Sequence, residues 1–504
     1  MSSSNRNNYR CGFFFLVIFL ITGNLLVFPV AAGDWRVEPR LNIIESYTDR
    51  LRLREGGSEF ITQINPGVQV IGEGRRFNTN LNYMMNNLIY ANNSEFSRIR
   101  HLLNANATAE LIEDRFFVDG RALISQQNAF LFEPQAVDNV NPINRRSISR
   151  YSISPYFRHR FKDLASAELR YVYGEVHASG RGFFDNTSDS AIASVNSGSA
   201  FRTLGWGLNY SHTQIHRDQL RTIQLERSTG LLRYRLTPQF DLIATGGYER
   251  NSFISIRGKS SSPTWTAGFS WVPTERTEID FAAGQRFFGD TYLASFNHRT
   301  RRTTWSLRYN EDITTFGQQA LFGSSLATAA SLSQLLSGMQ NSDAILNQGI
   351  PFAFSDPNNF LTNRLFLQKR LEGILAINGR KNTVIFRGFN MSRRAYTGDE
   401  EDISLIGAAN ALLMRNTIQT GGNVSWNHRL TARTSANFNF SYMKIDFLTS
   451  DRLDDSLLFM FSLNKQITPN VNGMIGYFHN RRDSNQRGAD FSSNTITASL
   501  NMNF

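Results

Sequence analysis

The feature that most constrains this chain is strict two-residue alternation, seen most cleanly over positions 494–504. Ile496, Ala498, Leu500, Met502 and Phe504 fall on one side, and Thr495, Thr497, Ser499, Asn501 and Asn503 on the other. A side-chain period of two is that of a β-strand, here with one apolar and one polar face. The same pattern recurs along the chain. Leu169, Tyr171 and Tyr173 alternate with polar residues, as do Trp206, Leu208 and Tyr210, and Phe438, Phe440 and Tyr442. Segments of about ten residues with this alternation are the mark of a transmembrane β-barrel, lipid outside and water inside.

The connections support that reading. Short ones fall at 72–75, 161–164, 236–239, 272–275, 429–432 and 467–470. Long ones fall at 127–146, 175–186, 252–263, 314–359 and 395–405. Short turns at one end and long polar loops at the other predict an all-β, antiparallel transmembrane barrel of about 20 strands, with 18 to 22 all compatible with the spacing. The strand assignment is open over 189–201. No fixed short repeat points to a solenoid. The loop at about 314–359 is partly helical in pattern, with Leu326, Leu332 and Leu336 near one face. It reads either as a constriction folded into the lumen or as a helix over the outer mouth.

The first 32 residues read as a secretory signal peptide, leaving 33–504 as the barrel. Arg6 and Arg10 precede an apolar run, and Val30-Ala-Ala32 offers small residues for cleavage. The single cysteine, Cys11, lies within that segment, so the exported part relies on no disulfide. Beyond it no run approaches the roughly 18 apolar residues of a membrane helix. A mean hydropathy of −0.33 is no objection, because alternation averages out. The 40 phenylalanines suit lipid-facing bands. The expected location is the Gram-negative cell outer membrane, among its lipids and lipopolysaccharide. On the closing strand, Leu500, Met502 and Phe504 are the expected recognition face for barrel-assembly machinery, with its partner strand near 36–46.

The net charge is +11, carried almost wholly by arginine. An exported chain without a nucleic-acid motif is not expected to bind nucleic acid. Arg170, Arg235, Arg286, Arg308 and Arg387 fall within strands. A midplane arginine facing lipid costs about 2–4 kcal/mol, so these are expected in the lumen or at a rim. They either attract anionic groups or form internal ladders with carboxylates. The acidic run 399–402 reads as a cation site or a solvated loop tip. The eight histidines are scattered, without a metal-binding spacing such as HExxH. No catalytic residue, cofactor or metal site is expected, and the chain does not read as an enzyme.

Several short segments go beyond fold class. Trp35-Arg-Val-Glu-Pro39, Glu45-Ser-Tyr-Thr-Asp49 and Phe60-Ile-Thr-Gln-Ile-Asn-Pro-Gly67 open the barrel. Ser197-Gly-Ser-Ala-Phe201 leads to Trp206, and Tyr234-Arg-Leu-Thr-Pro238, Gly247-Tyr-Glu249 and Arg299-Thr-Arg-Arg-Thr303 follow. In this order they resemble the outer-membrane barrel family associated with PEP-CTERM/exosortase systems. The resemblance implies a setting of exopolysaccharide biosynthesis and export, with polysaccharide and periplasmic export components as partners. It carries over no catalytic residue. The function expected is a passage or accessory for exopolysaccharide export. A general porin for small solutes, a plugged structural or assembly barrel, and an outer-membrane lipid hydrolase stand as alternatives.

Overall fold

The computed structural model describes residues 33–52, 56–133, 140–180, 182–183, 185–322 and 360–504. The signal segment and the expected helix at 326–336 lie outside them. Twenty-two antiparallel strands, β1 (Asp34–Thr48) to β22 (Phe491–Asn503), each pair with their sequence neighbours. β22 then pairs with β1 from Arg40↔Asn503 to Thr48↔Thr495, closing the wall. This is the expected closed all-β barrel at the upper end of the strand range. The closing partner covers the segment that the alternation pointed to. The open stretch at 189–201 resolves as β8 (Asn186–Ser197) followed by a short turn.

Alternation dictates which side chain meets which medium. Ile496 is 55 % exposed on the outer surface, whereas Thr497 beside it is 4 % exposed inside. Two aromatic girdles ring the outside. Trp35, Phe161, Tyr234, Trp271, Trp305 and Trp426 are exposed toward the short-turn end. Tyr171, Tyr210, Tyr292 and Tyr442 are exposed toward the long-loop end. The upper tyrosines donate their hydroxyls to polar groups beside them: Tyr171 to Asp189, Tyr210 to Glu226, Tyr442 to Asp455. A closed barrel with an apolar outer band between two aromatic girdles is built for the bacterial outer membrane. Phe438→Arg, on the outer face of β19 (Thr434–Phe447), is therefore expected to cost about 2–4 kcal/mol. Asn437→Ala on the inner face should cost far less. Urea unfolding from lipid vesicles measures both, and equal losses would contradict this orientation.

Above the upper girdle the alternation changes phase. On β19, Phe438, Phe440 and Tyr442 face out. Beyond them Met443, Ile445 and Phe447 face in and are buried, while Lys444 and Asp446 face out. β17 (Asn382–Ala395) does the same, with Phe386 outward and Phe389 and Met391 inward. The outer face has left the bilayer at this height. The inner face has gained an apolar partner, because long loops fold into the mouth.

Candidate functional site: the lumen and its capped mouth

All five strand arginines singled out in the sequence point into the lumen. Arg170 on β7 (Ala165–Ala178) meets Asp119 at 3.0 Å and Glu168 at 2.9 Å, with its guanidinium 3.7 Å from the centre of the Tyr156 ring. Arg235 on β10 (Ile223–Thr237) is 3.3 Å from Asp241. Arg286 on β13 (Thr277–Arg286) reaches Glu249 at 2.7 Å and Asp312 at 3.1 Å. Arg387 on β17 lies 2.7 Å from Glu372. These four sit in the ladder arrangement, each already holding a carboxylate. Arg308 on β15 (Thr303–Thr315) is exposed and has no ion pair among the described residues. Glu372, directly across from it on β16 (Leu365–Asn378), is held by Arg370 and Arg387. Leu500 stands outward on β22, 42 % exposed, with Met502 half-buried on the same side, and Phe504, just past the strand, is 70 % exposed.

The lumen is lined unevenly. From β5 (Phe116–Asn128) round to β17 its inner face carries the ion-paired arginines. From β18 (Asn416–Arg429) round through β22 and β1 to β2 (Glu59–Glu73) amides and hydroxyls predominate, interrupted by inward Leu458 and Met460 and by the ion pairs of Arg40 with Glu38 and of Arg452 and Arg482 with Asp454. Asn423 donates to Asn439 and to Ser441 at 2.7 Å, and Asn439 donates to Ser425 at 3.1 Å. Ser46 and Thr497 bond across the closing pair at 2.9 Å, near the amide pair Asn42–Asn501. Most of these uncharged donors and acceptors are almost fully buried, and they satisfy one another in rows along the wall.

At the long-loop end the mouth is crossed by inward loops. Phe132, in the β5–β6 loop, accepts hydrogen bonds on its carbonyl from Arg452 (2.9 Å) and Arg482 (3.3 Å), on the far side of the closing strands. Phe132 and Leu131 pack with Phe360, Phe389, Met443, Ile445 and Phe447 in one apolar cluster. Behind it, Leu361 donates its backbone N–H to Ala129 (2.9 Å) and packs with Ile148, Val176 and Phe316. Phe316 opens a short helix, α1 (Phe316–Phe322). The chain just before and just after residues 323–359, at Phe316 and at Phe360 and Leu361, therefore enters this cap. Two more short helices, α2 (Glu400–Ile406) and α3 (Ala408–Leu413), complete it.

The cap is fastened by buried charge. Arg364 is fully buried between Asp399 (3.0 Å) and Asp402 (3.1 Å) and donates to the Ala411 carbonyl at 2.6 Å. Its Nε and Nη1 reach the carboxylates at ion-pair distance, but off hydrogen-bond alignment. Asp402 also accepts from Thr362 Oγ1 at 2.8 Å and the Asn363 N–H at 2.7 Å. Arg217 at the end of β9 (Leu204–Arg217) clasps Glu401 at 2.9 and 3.2 Å and donates to the Asn363 carbonyl at 2.8 Å. The acidic run 399–402 is thus not a solvated tip. It supplies the counter-charges of two buried arginines that come from remote parts of the chain. Burial pushes the Asp402 carboxyl up from its ordinary value, opposed by the Arg364 charge. The hydrogen bond from Arg415 holds Asp399 below its ordinary value, with Arg364 adding to the effect against partial burial. Asp399 therefore favours the cap fully above the ordinary carboxylate range. That contribution is lost as pH falls through its depressed value.

The chain matches no family model and no curated protein. Among solved structures it is similar to a mutant of the ferric enterobactin receptor of Pseudomonas aeruginosa, at 8 % identity, 93 % of this chain, 80 % of that one and a TM-score of 0.49. The siderophore receptor PirA of the same organism follows at 9 % identity, 93 % and 80 % coverage and a TM-score of 0.47. The FrpB iron transporter of Neisseria meningitidis gives 10 % identity, 94 % and 83 % coverage and a TM-score of 0.39.

Proposed function

We propose that this outer-membrane barrel is a capped passage for a hydroxyl-rich polymer, an exopolysaccharide, and that the loops at its outer mouth form the gate. The amide and hydroxyl wall from β18 to β2 carries the reading. Asn423, Ser425, Asn439 and Ser441 are uncharged, closely spaced and hydrogen-bonded to one another, so a sugar hydroxyl could replace any of these bonds in kind while no anion is held. Four of the five strand arginines opposite are paired with carboxylates, so that wall is locally balanced apart from Arg308. Transport through such a pore is passive, and its direction comes from machinery in the periplasm or inner membrane. The sequence resemblance to exosortase-associated barrels supports the same cargo.

The purified barrel should conduct in planar lipid bilayers in rare openings. Soluble polysaccharide should block the open current in a length-dependent way, with small sugars ineffective. Conduction unaffected by any saccharide would replace this reading with that of a general porin. A barrel that never conducts, even with the cap destabilised, would leave a structural role.

A further inference from the structure

The short-turn end, which faces the periplasm in a barrel of this kind, carries its charge unevenly. Three neighbouring turns lead into β15, β17 and β19. The first holds Arg299, Arg301 and Arg302, the second Arg380 and Lys381, and the third Arg429 and Arg433. No Asp or Glu lies in these turns, over 299–303, 378–382 and 429–434. All of these cations are exposed except Arg429, which is half-buried. Elsewhere on the rim the two signs meet. Arg75 and Arg76 both reach Glu113 at 3.0 Å, and Lys162 and Arg276 share their turns with Asp163 and Glu275. Glu275 and Glu278 border the basic arc at its β13 end.

Backbone bonds sew the three turns into one strip. Asn378 donates its N–H to the Arg302 carbonyl at 2.7 Å, and Arg429 to the Lys381 carbonyl at 2.8 Å. Gln466, on the strand that follows, donates to the Arg433 carbonyl at 2.8 Å. Arg429 adds a bond from Nη2 to the Arg380 carbonyl at 2.8 Å. The strip borders the lumen as well as the periplasm. By strand alternation Arg299 lies on the inner face with Ser295, and Arg429 on the inner face with Asn423 and Ser425. Further in, Arg308 lies opposite Ser295, exposed and without an ion pair among the described residues. Positive charge therefore leads from the rim into the passage.

A mouth lined by one sign of charge concentrates the opposite sign and speeds its capture, most strongly at low salt. Guanidinium groups take carboxylates in a two-pronged grip. The inward Arg299 and Arg429 favour a soluble polyanion over lipid phosphates, which lie on the outer side of the wall. Beyond the mouth the amide wall holds no anion, and most strand arginines opposite are already paired, so capture is not followed by trapping. We infer, on the footing of the passage reading above, that its polymer is an acidic polysaccharide, drawn from the periplasm by its carboxylate groups onto the basic arc.

The full-length barrel in detergent micelles, with both ends open to solvent, tests this against labelled polygalacturonate and dextran of the same length. One variant combines Arg301→Gln, Arg302→Gln, Arg380→Gln, Lys381→Gln and Arg433→Gln, all at exposed turn positions. A control combines Arg75→Gln and Arg76→Gln in a balanced turn. Heat-modifiable migration checks that each is folded. At low salt polygalacturonate should bind the arc variant roughly tenfold more weakly than the unaltered barrel, and the control as well as the unaltered barrel. High salt should erase the difference, and dextran should not distinguish the three. Equal binding to the arc variant and the unaltered barrel, or an equal loss in the control, overturns the assignment. In planar bilayers polygalacturonate should block the open current at lower concentration than dextran. Block by dextran alone leaves the passage standing and overturns the acidic cargo. Binding at the arc without block also overturns it, and makes the arc a docking edge for an acidic periplasmic protein.

Discussion

Arg364→Ala should unlock the mouth while leaving the barrel wall intact. The substitution strands Asp402, 1 % exposed, without its nearest cation, and removes the donor to the Ala411 carbonyl. Breaking a buried pair from one side costs about 3–5 kcal/mol. Since 1.4 kcal/mol is tenfold, the closed-to-open ratio of the cap should fall by roughly two to four orders of magnitude. Single-channel recording should show long open dwell times in place of rare openings. Protease should cut the 396–415 loop in intact vesicles. Adding Asp402→Asn should restore part of the closure by removing the stranded charge. If the single variant stays shut and resistant to protease, the ion pair does not fasten the cap.

The second large effect concerns closure of the wall. Thr497→Pro, in the middle of β22, removes a backbone donor from a strand paired on both sides, with Gly476 of β21 (Val471–Ser484) and Ser46 of β1. Proline within a central strand costs about 3 kcal/mol or more by analogy with its cost in helices, and it also bends the strand. The Thr497–Ser46 hydroxyl bond is lost with it. Folded, heat-modifiable barrel should almost vanish from outer-membrane fractions. Thr497→Val, which keeps the backbone, should retain most of it. Removing Phe504 should have a smaller effect through the loss of an outward anchor and of its N–H bond to the Pro39 carbonyl at 2.9 Å. Burial of one Phe is worth about 1.5–3 kcal/mol. Normal assembly of Thr497→Pro would mean that β22 is not needed to close the barrel.

Much of this was legible in the residues. Strand faces, turn lengths and the closing partner follow from local alternation, because lipid and water impose it on each strand separately. The inward placement of Arg170, Arg286, Arg308 and Arg387 follows from the cost of charge in hydrocarbon. Their partners do not, because Asp119 and Arg170 meet only through strand register, 51 residues apart. The cap was still less accessible. Arg217 and Glu401 are 184 residues apart, and no local pattern couples them. One local signal of the cap is present. On β19 the apolar positions switch from even to odd between Tyr442 and Met443. A strand that only lined a wet lumen would have ended its alternation there. Moving the apolar set to the inner face announces a partner inside the barrel. The short ladder between β14 (Gly289–Arg299) and β15 left no comparable trace, because both strands alternate normally and only their pairing is short.

The two bonds that Phe132 accepts join residues 320 and 350 positions apart in the chain. Neither can form until the chain has been made as far as Arg452 and Arg482, so a loop from its first third is pinned by residues from its end. Truncation before Arg452 would leave that loop without either bond.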